Sequence, residues 1–187
     1  QGDKTKSIKV TTKWDGAPAI ICGIHPVWKA FFVGNKSVFN KTNPKICCTP
    51  DDVDFFYPDS GLNSILKSCL THLSKLPISG VIQGDLLFIE NTKSIGTIKG
   101  QRSVKFTPNT ITYTIPLNTN LGQRVNNSKL GIVFHTSYSG DTISNMQAGF
   151  GVDVSSYQGV KDVSVFSSDF NDASGSANFT SQEKTKF

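Results

Sequence analysis

SIKVTTKWDGAPAIICGI, residues 7–24, decides how the rest of the chain is read. Residues 7–12 alternate as a strand does, and APAIICGI after the KWDG turn reads as a second, more buried strand. Lys13 therefore stands at a strand end, two residues before an aspartate-glycine turn. A solvated lysine beside a turn is ordinary, whereas a lysine held between two buried strands is placed to act as a nucleophile.

Working outward, WKAFFVGN (28–35) suggests a third strand, and KTNPKICCTPDD (41–52) reads as an irregular loop. A helix follows, capped by Asp59 or Ser60, because Leu62, Ile65, Leu66, Cys69, Leu70, Leu73 and Leu76 recur at helical spacing and Pro77 ends the run. Its apolar face must pack on a sheet. His72 in this helix has no Cys or second His at ligand spacing, which favours a surface or satisfied histidine over a metal ligand. GVIQGDLLFIE (80–90), SVKFTPN (103–109), TITYTIP (110–116) and LGIVFHTSY (130–138) combine β-branched and aromatic residues between Gly, Pro and Asn breaks. The expected class is α+β, mainly antiparallel sheet with a few packed helices. Residues 1–138 are expected to form the core. Residues 139–187 are rich in Ser, Gly, Asp and Asn with DVSVF as the one plausible strand, and read as a loop-rich extension or the remainder of the same domain.

With 187 residues, 37% hydrophobic and 18% charged, the composition supports one sizeable core and excludes a disordered chain. The net charge of +5 is uneven. Residues 1–50 carry Lys4, Lys6, Lys9, Lys13, Lys29, Lys36, Lys41 and Lys45 against Asp3 and Asp15, which favours nucleic acid or a nucleotide as partner, with a merely solvated lysine-rich surface as the alternative. Cys22, Cys47, Cys48 and Cys69 lack zinc-ligand spacing and read as free thiols of a reducing compartment. The sequence shows no signal peptide and no apolar run of transmembrane length, so a soluble, cytoplasmic protein without membrane association is expected. The opening QGDKTK, without Met, suggests a fragment or a processed chain.

An amine attacks phosphorus only when unprotonated, and a lysine with its ordinary pKa of about 10.4 is reactive in roughly one molecule in a few thousand at neutral pH. Desolvation between apolar strands, with Lys9, Lys29 or Lys36 as neighbouring cations, shifts that balance in the required direction. Trp14 would supply a dry wall, and Asp15 and Gly16 the turn that aims the amine.

KWDG resembles the KxDG motif of the covalent nucleotidyltransferases, which include ATP-dependent DNA ligases, RNA ligases and capping enzymes. VIQGDLLF resembles that superfamily's DGEL-type strand, AFFVGNKS falls where it has a basic phosphate-contacting segment, and KLGIVFHT is similar to its EGxVxK strand. With FTPNTITY between the last two motif stretches, the pattern is most similar to ligase-like proteins encoded by tailed bacteriophages. The resemblance covers residues 8–136 and implies a ligase-type adenylation domain, ATP and Mg²⁺ as cofactors, DNA or RNA as partner and, for a phage protein, the bacterial cytoplasm. It casts Lys13 as the nucleophile forming a lysyl-AMP. Trp14, Asp15 and Gly16 would shape the nucleotide site, Lys36 and His135 would be its phosphate-side cations, and Asp85 would contact ribose or metal.

The sequence also departs from the pattern. Ala17 and Pro18 follow KWDG where the superfamily carries an arginine, Leu130 stands in place of the metal-binding Glu of EGxVxK, Asp85 replaces a Glu, and the final KxK has only the distant Lys184 and Lys186. A noncatalytic interaction or virion-associated structural protein that keeps the fold without the chemistry is the alternative. In that reading Lys13 and Asp85 are turn residues and His135 is a core histidine bonded to backbone.

Overall fold

A computed structural model describes residues 13–168. The strand expected over residues 7–12 and the lysines near the end of the chain lie outside them. β1 (Ala19–Ile24) and β2 (Phe31–Gly34) form a hairpin, followed by α1 (Pro50–Phe56) and α2 (Gly61–Leu73). β3 (Val81–Ile89) leads to β4 (Lys93–Ile98), β5 (Gln101–Phe106) and β6 (Tyr113–Pro116). α3 (Asn120–Asn127), β7 (Leu130–Ser139), β8 (Gln147–Phe150) and β9 (Val163–Ser167) complete the described chain.

The main sheet runs β2-β1-β3-β7, and the outer edge of β7 is shared by β8 and β9. All its pairings are antiparallel except β7 with β9. A second antiparallel sheet, β4-β5-β6, stands apart. The α+β class and the prevalence of antiparallel pairing thus agree with the sequence reading. The boundary expected at residue 138 falls inside β7, and residues 139–168 contribute two strands to the same sheet.

Alternation along β3 distributes its side chains between the two faces of the sheet. Ile82, Leu86 and Ile89 join Ile20, Cys22, Leu130, Ile132 and Phe134 under Leu66, Cys69 and Leu73 of α2. On the opposite face, Leu87, Phe88 and Val133 pack with Val104 and Phe106 of the second sheet. Ile21, Phe32 and Val81 form a further cluster with Val38 and Ile143. Asp85 lies between these two opposite-face clusters in the sequence of β3.

Two departures from the expected elements have local causes. The segment read as a loop over 41–52 makes a bridge between Cys47 and Val33 and then enters α1. The Thr49 hydroxyl accepts from the Asp52 amide, the Asp52 carboxylate accepts from the Thr49 amide, and Pro50 occupies the first turn, so a reciprocal cap starts this helix. The strand read over 28–35 is shorter because Trp28 and Lys29 belong to the turn at the tip of the β1–β2 hairpin.

At Gly84, in the ladder between β3 and β7, a Cβ would stand 2.5 Å from the Val133 carbonyl oxygen and 2.8 Å from the Phe134 ring. Backbone on one side and a fully buried ring on the other leave no room to yield. Gly84→Ala is therefore expected to destabilise the fold by about 1–3 kcal/mol, read as a lower urea midpoint at unchanged slope.

Candidate active site

The KWDG segment is attached to both sheets. Ala17 donates to the Leu86 carbonyl at 3.0 Å and Leu86 donates to the Pro18 carbonyl at 3.0 Å, so residues 17–18 extend the β1 ladder along β3. Ala19 then pairs with Asp85. A Cβ on Gly16 would lie 2.5 Å from the Asp85 Cβ, so only glycine lets the turn close against that residue. Lys13 is exposed and precedes Gly16 by three residues, a chain span of at most roughly 10 Å.

Asp15 is the best-satisfied carboxylate of this region. It accepts from the Thr110 amide at 2.7 Å, the Thr110 hydroxyl at 2.8 Å, the Ile111 amide at 2.8 Å and Asn109 Nδ2 at 3.0 Å, while its own amide donates to the Tyr113 hydroxyl. These donors, led by the Ile111 amide, hold its carboxyl far below the usual carboxylate range. Asp15 thus ties the β5–β6 loop to the KWDG segment. Trp14 packs between Tyr113 and Phe166, with ring centroids 5.3 and 5.1 Å away, as part of the cluster under the second sheet.

On the next strand, His135 is the extra residue of a β-bulge: Gln83 opposes Thr136, whereas Gly84 opposes Phe134. The bulge turns Thr136 to the same face as His135, and the Thr136 hydroxyl meets His135 Nδ1 at 2.8 Å. Nε2 of His135 is 3.5 Å from Asp85 Oδ1, an ion-pair distance when the imidazole is protonated. This nitrogen is buried without a hydrogen-bond partner, while the two side chains as wholes keep 26% and 27% exposure. On the far side of β1, Pro18, Ala19, Asn35, Lys36, Ser37 and Asn40 line an open cleft of about 450 Å³. Asn35 Oδ1 accepts from the Ser37 amide and hydroxyl, which fixes the turn carrying Lys36.

Lys36, the KWDG segment, Asp85 and His135 therefore follow one another across adjacent elements, with Asp85 and His135 in contact. The three strands β1, β3 and β7 span roughly 10 Å at ordinary strand spacing. Leu130 does not share this face. It is fully buried in the cluster beneath α2, opposite Ile89 and Val163.

For Mg²⁺, the site offers the Asp85 carboxylate. Among the described residues no group of three or more His, Cys, Asp or Glu side chains gathers. One carboxylate suits a metal held mainly by substrate phosphates and water, which is how Mg²⁺ is commonly bound, and does not suit an all-protein cage.

The sequence reading missed the partners of Asp15, which lie 94–98 residues away in a polar loop. The run of Asn109, Thr110 and Thr112, all able to donate, was the available signal. It also missed Thr136, whose placement depends on the bulge.

Asp15→Asn is expected to lower the melting temperature at neutral pH and to speed amide exchange of Thr110 and Ile111 roughly tenfold or more. The stabilisation from a depressed carboxyl is complete above the unfolded value near 3.9 and fades as pH falls toward the folded value. The gap in melting temperature between wild type and Asp15→Asn should therefore narrow below about pH 4.

Among the described residues no helix is long and apolar enough to cross a membrane. No curated protein and no solved structure matches the chain. A family model does match over residues 1–187, and the chain accordingly belongs to DUF6267, a family of unknown function.

Proposed function

We propose that this chain is a nucleotidyltransferase-like protein of the ATP-dependent polynucleotide ligase type, with Lys13 as the residue that accepts the nucleotide. The observation that carries this reading is the contact of three stretches distant in sequence: Gly16 of KWDG against Asp85 of β3, and Asp85 against His135 of β7. The same three stretches carry the sequence resemblance.

In this reading the triphosphate lies along the face between the Lys36 cleft and the Asp85–His135 pair. Lys36 and a protonated His135 neutralise phosphate charge, which is the main requirement of phosphoryl-transfer chemistry. Bound Mg²⁺ would add charge neutralisation, with Asp85 as its protein ligand. Lys13 first loses a proton to solvent, its lone pair then forms the N–P bond at the α-phosphorus, and the bonded nitrogen releases a second proton to solvent. The bond from that phosphorus to the bridging oxygen breaks, and pyrophosphate leaves with the electron pair. The product is a phosphoramidate, ready for transfer to a nucleic-acid end.

A second reading is favoured by Leu130 and Trp14, which are packed into apolar clusters where the reaction would use polar groups or a nucleotide-facing ring. It is a noncatalytic protein on the same fold, able to bind a nucleotide or nucleic acid without transfer.

Incubation with α-labelled ATP and Mg²⁺ separates the two. The proposal expects label on the protein through an acid-labile, base-stable bond. Lys13→Ala and Lys13→Arg should abolish it, since a guanidinium stays protonated, and Asp85→Ala should reduce it at unchanged circular dichroism. Labelling that survives Lys13→Ala refutes the nucleophile assignment. ATP binding without labelling leaves the noncatalytic reading.

A further inference from the structure

The turn between β1 and β2, at the opposite end of β1 from Ala19, contains an arrangement that the proposed chemistry does not use. His25 is buried, with 5% exposure, yet the indole stacked on it is 60% exposed. The rings of His25 and Trp28 are nearly parallel, with centroids 3.9 Å apart and planes 10° apart. One face of the indole is thus covered by a fixed imidazole, and much of the remaining ring surface meets solvent.

The turn is tightly held for a hairpin tip. His25 Nδ1 accepts the amides of Val27 at 3.2 Å and Trp28 at 3.1 Å, so the proton of the neutral ring sits on Nε2. His25 also donates its amide to the Ala30 carbonyl at 2.8 Å and accepts at its carbonyl from Lys29 at 2.9 Å. Lys29 closes the turn at φ +57°, a left-handed conformation that disfavours a side chain. An exposed ring on a mobile tip would lose orientational freedom on meeting a ligand, whereas this ring is already oriented.

We propose that Trp28, backed by His25, is a stacking platform for a base of single-stranded nucleic acid, with Lys29 beside it for the phosphate. The occupant follows from ring shape and charge. Every base has a π-face that can continue the imidazole–indole stack. Lys29 adjoins Trp28 in the same turn, and from residue 16 to residue 50 the chain carries no carboxylate, so no acidic side chain of this hairpin opposes an anion. β1 is six residues long, so the platform lies roughly 17–20 Å from the Ala19 end of the strand. The inference rests on the polynucleotide part of the proposed function and is independent of the chemistry at Lys13.

Fluorescence anisotropy with a labelled oligothymidylate at low salt tests it on the full chain. Trp28→Ala should weaken binding roughly tenfold or more, and Trp28→Phe should recover most of the loss because an aromatic face returns. An abasic strand of equal length, with the same phosphates and no bases, should bind wild type and Trp28→Ala alike. In a Trp14→Phe background, Trp28 is the sole indole, and saturable quenching by the oligothymidylate is expected. The exposed site makes Trp28→Ala compatible with folding, which the melting temperature checks. Equal affinity of wild type and Trp28→Ala overturns the proposal, as does an equal loss with the abasic strand. Quenching by anionic vesicles but not by the oligonucleotide overturns it in favour of a membrane surface. Lys13→Ala should leave quenching intact, and a wild-type chain that shows quenching but never takes up the adenylyl label would remove the transfer reaction alone.

Discussion

The ladder between β3 and β7 is the constraint on which the rest of the molecule depends. β3 has β1 on one side and β7 on the other, and β7 in turn carries β8 and β9. The glycine at 84 lets the two backbones meet where any side chain would collide. Beside it, the bulge at His135 changes the phase of β7 by one residue. Before the bulge, β7 alternates between the two apolar faces. After it, Thr136 opposes Gln83, and the Tyr138 hydroxyl donates to the side-chain Oε1 of Gln83 at 2.6 Å. The place where core packing gives way to polar contacts is the place where Asp85 and His135 meet.

Asp15 has a complementary role. The main sheet and the small sheet share an apolar contact through Phe88, Val104 and Phe106, but an apolar contact has little directionality. The hydrogen bonds from Asn109, Thr110 and Ile111 to one carboxylate add that direction. They also make the loop part of the wall of the KWDG segment. An aspartate that looks like a lysine-aiming turn residue in the sequence is, in the fold, a tether between two sheets.

What could be read in advance followed from period and strength of pattern. α2 was legible because six apolar residues recur at helical spacing within it and a proline follows a turn later. β3 and β7 were legible because they are long and rich in β-branched and aromatic residues. α1 was hidden because its cap uses Asp52 where a Glu is the familiar partner, and because Asn, Pro and Asp cluster around it. α3 buries only Gly122 and Val125, too few for a periodic signal. β4 is an edge strand with both faces largely exposed, so its sequence shows no alternation. At the candidate site, the succession of KWDG, Asp85 and His135 was readable as motif order. The bulge and the four donors to Asp15 were not, since register and loop docking have no local signature.

The four cysteines bear on how the protein meets its chemical surroundings. All are free, and three are buried. Burial pushes the thiols of Cys47 and Cys69 up to about 12, raises Cys22 well above the ordinary thiol value with Cys69 adding to the effect, and raises Cys48, where Asp52 adds its charge. The thiolate is the species that reacts with oxidants and electrophiles, and at neutral pH these sites hold almost none of it. The sulfur atoms serve as apolar filling beneath α2 and beside β2. The folded chain accordingly offers little thiolate to oxidants or electrophiles at neutral pH.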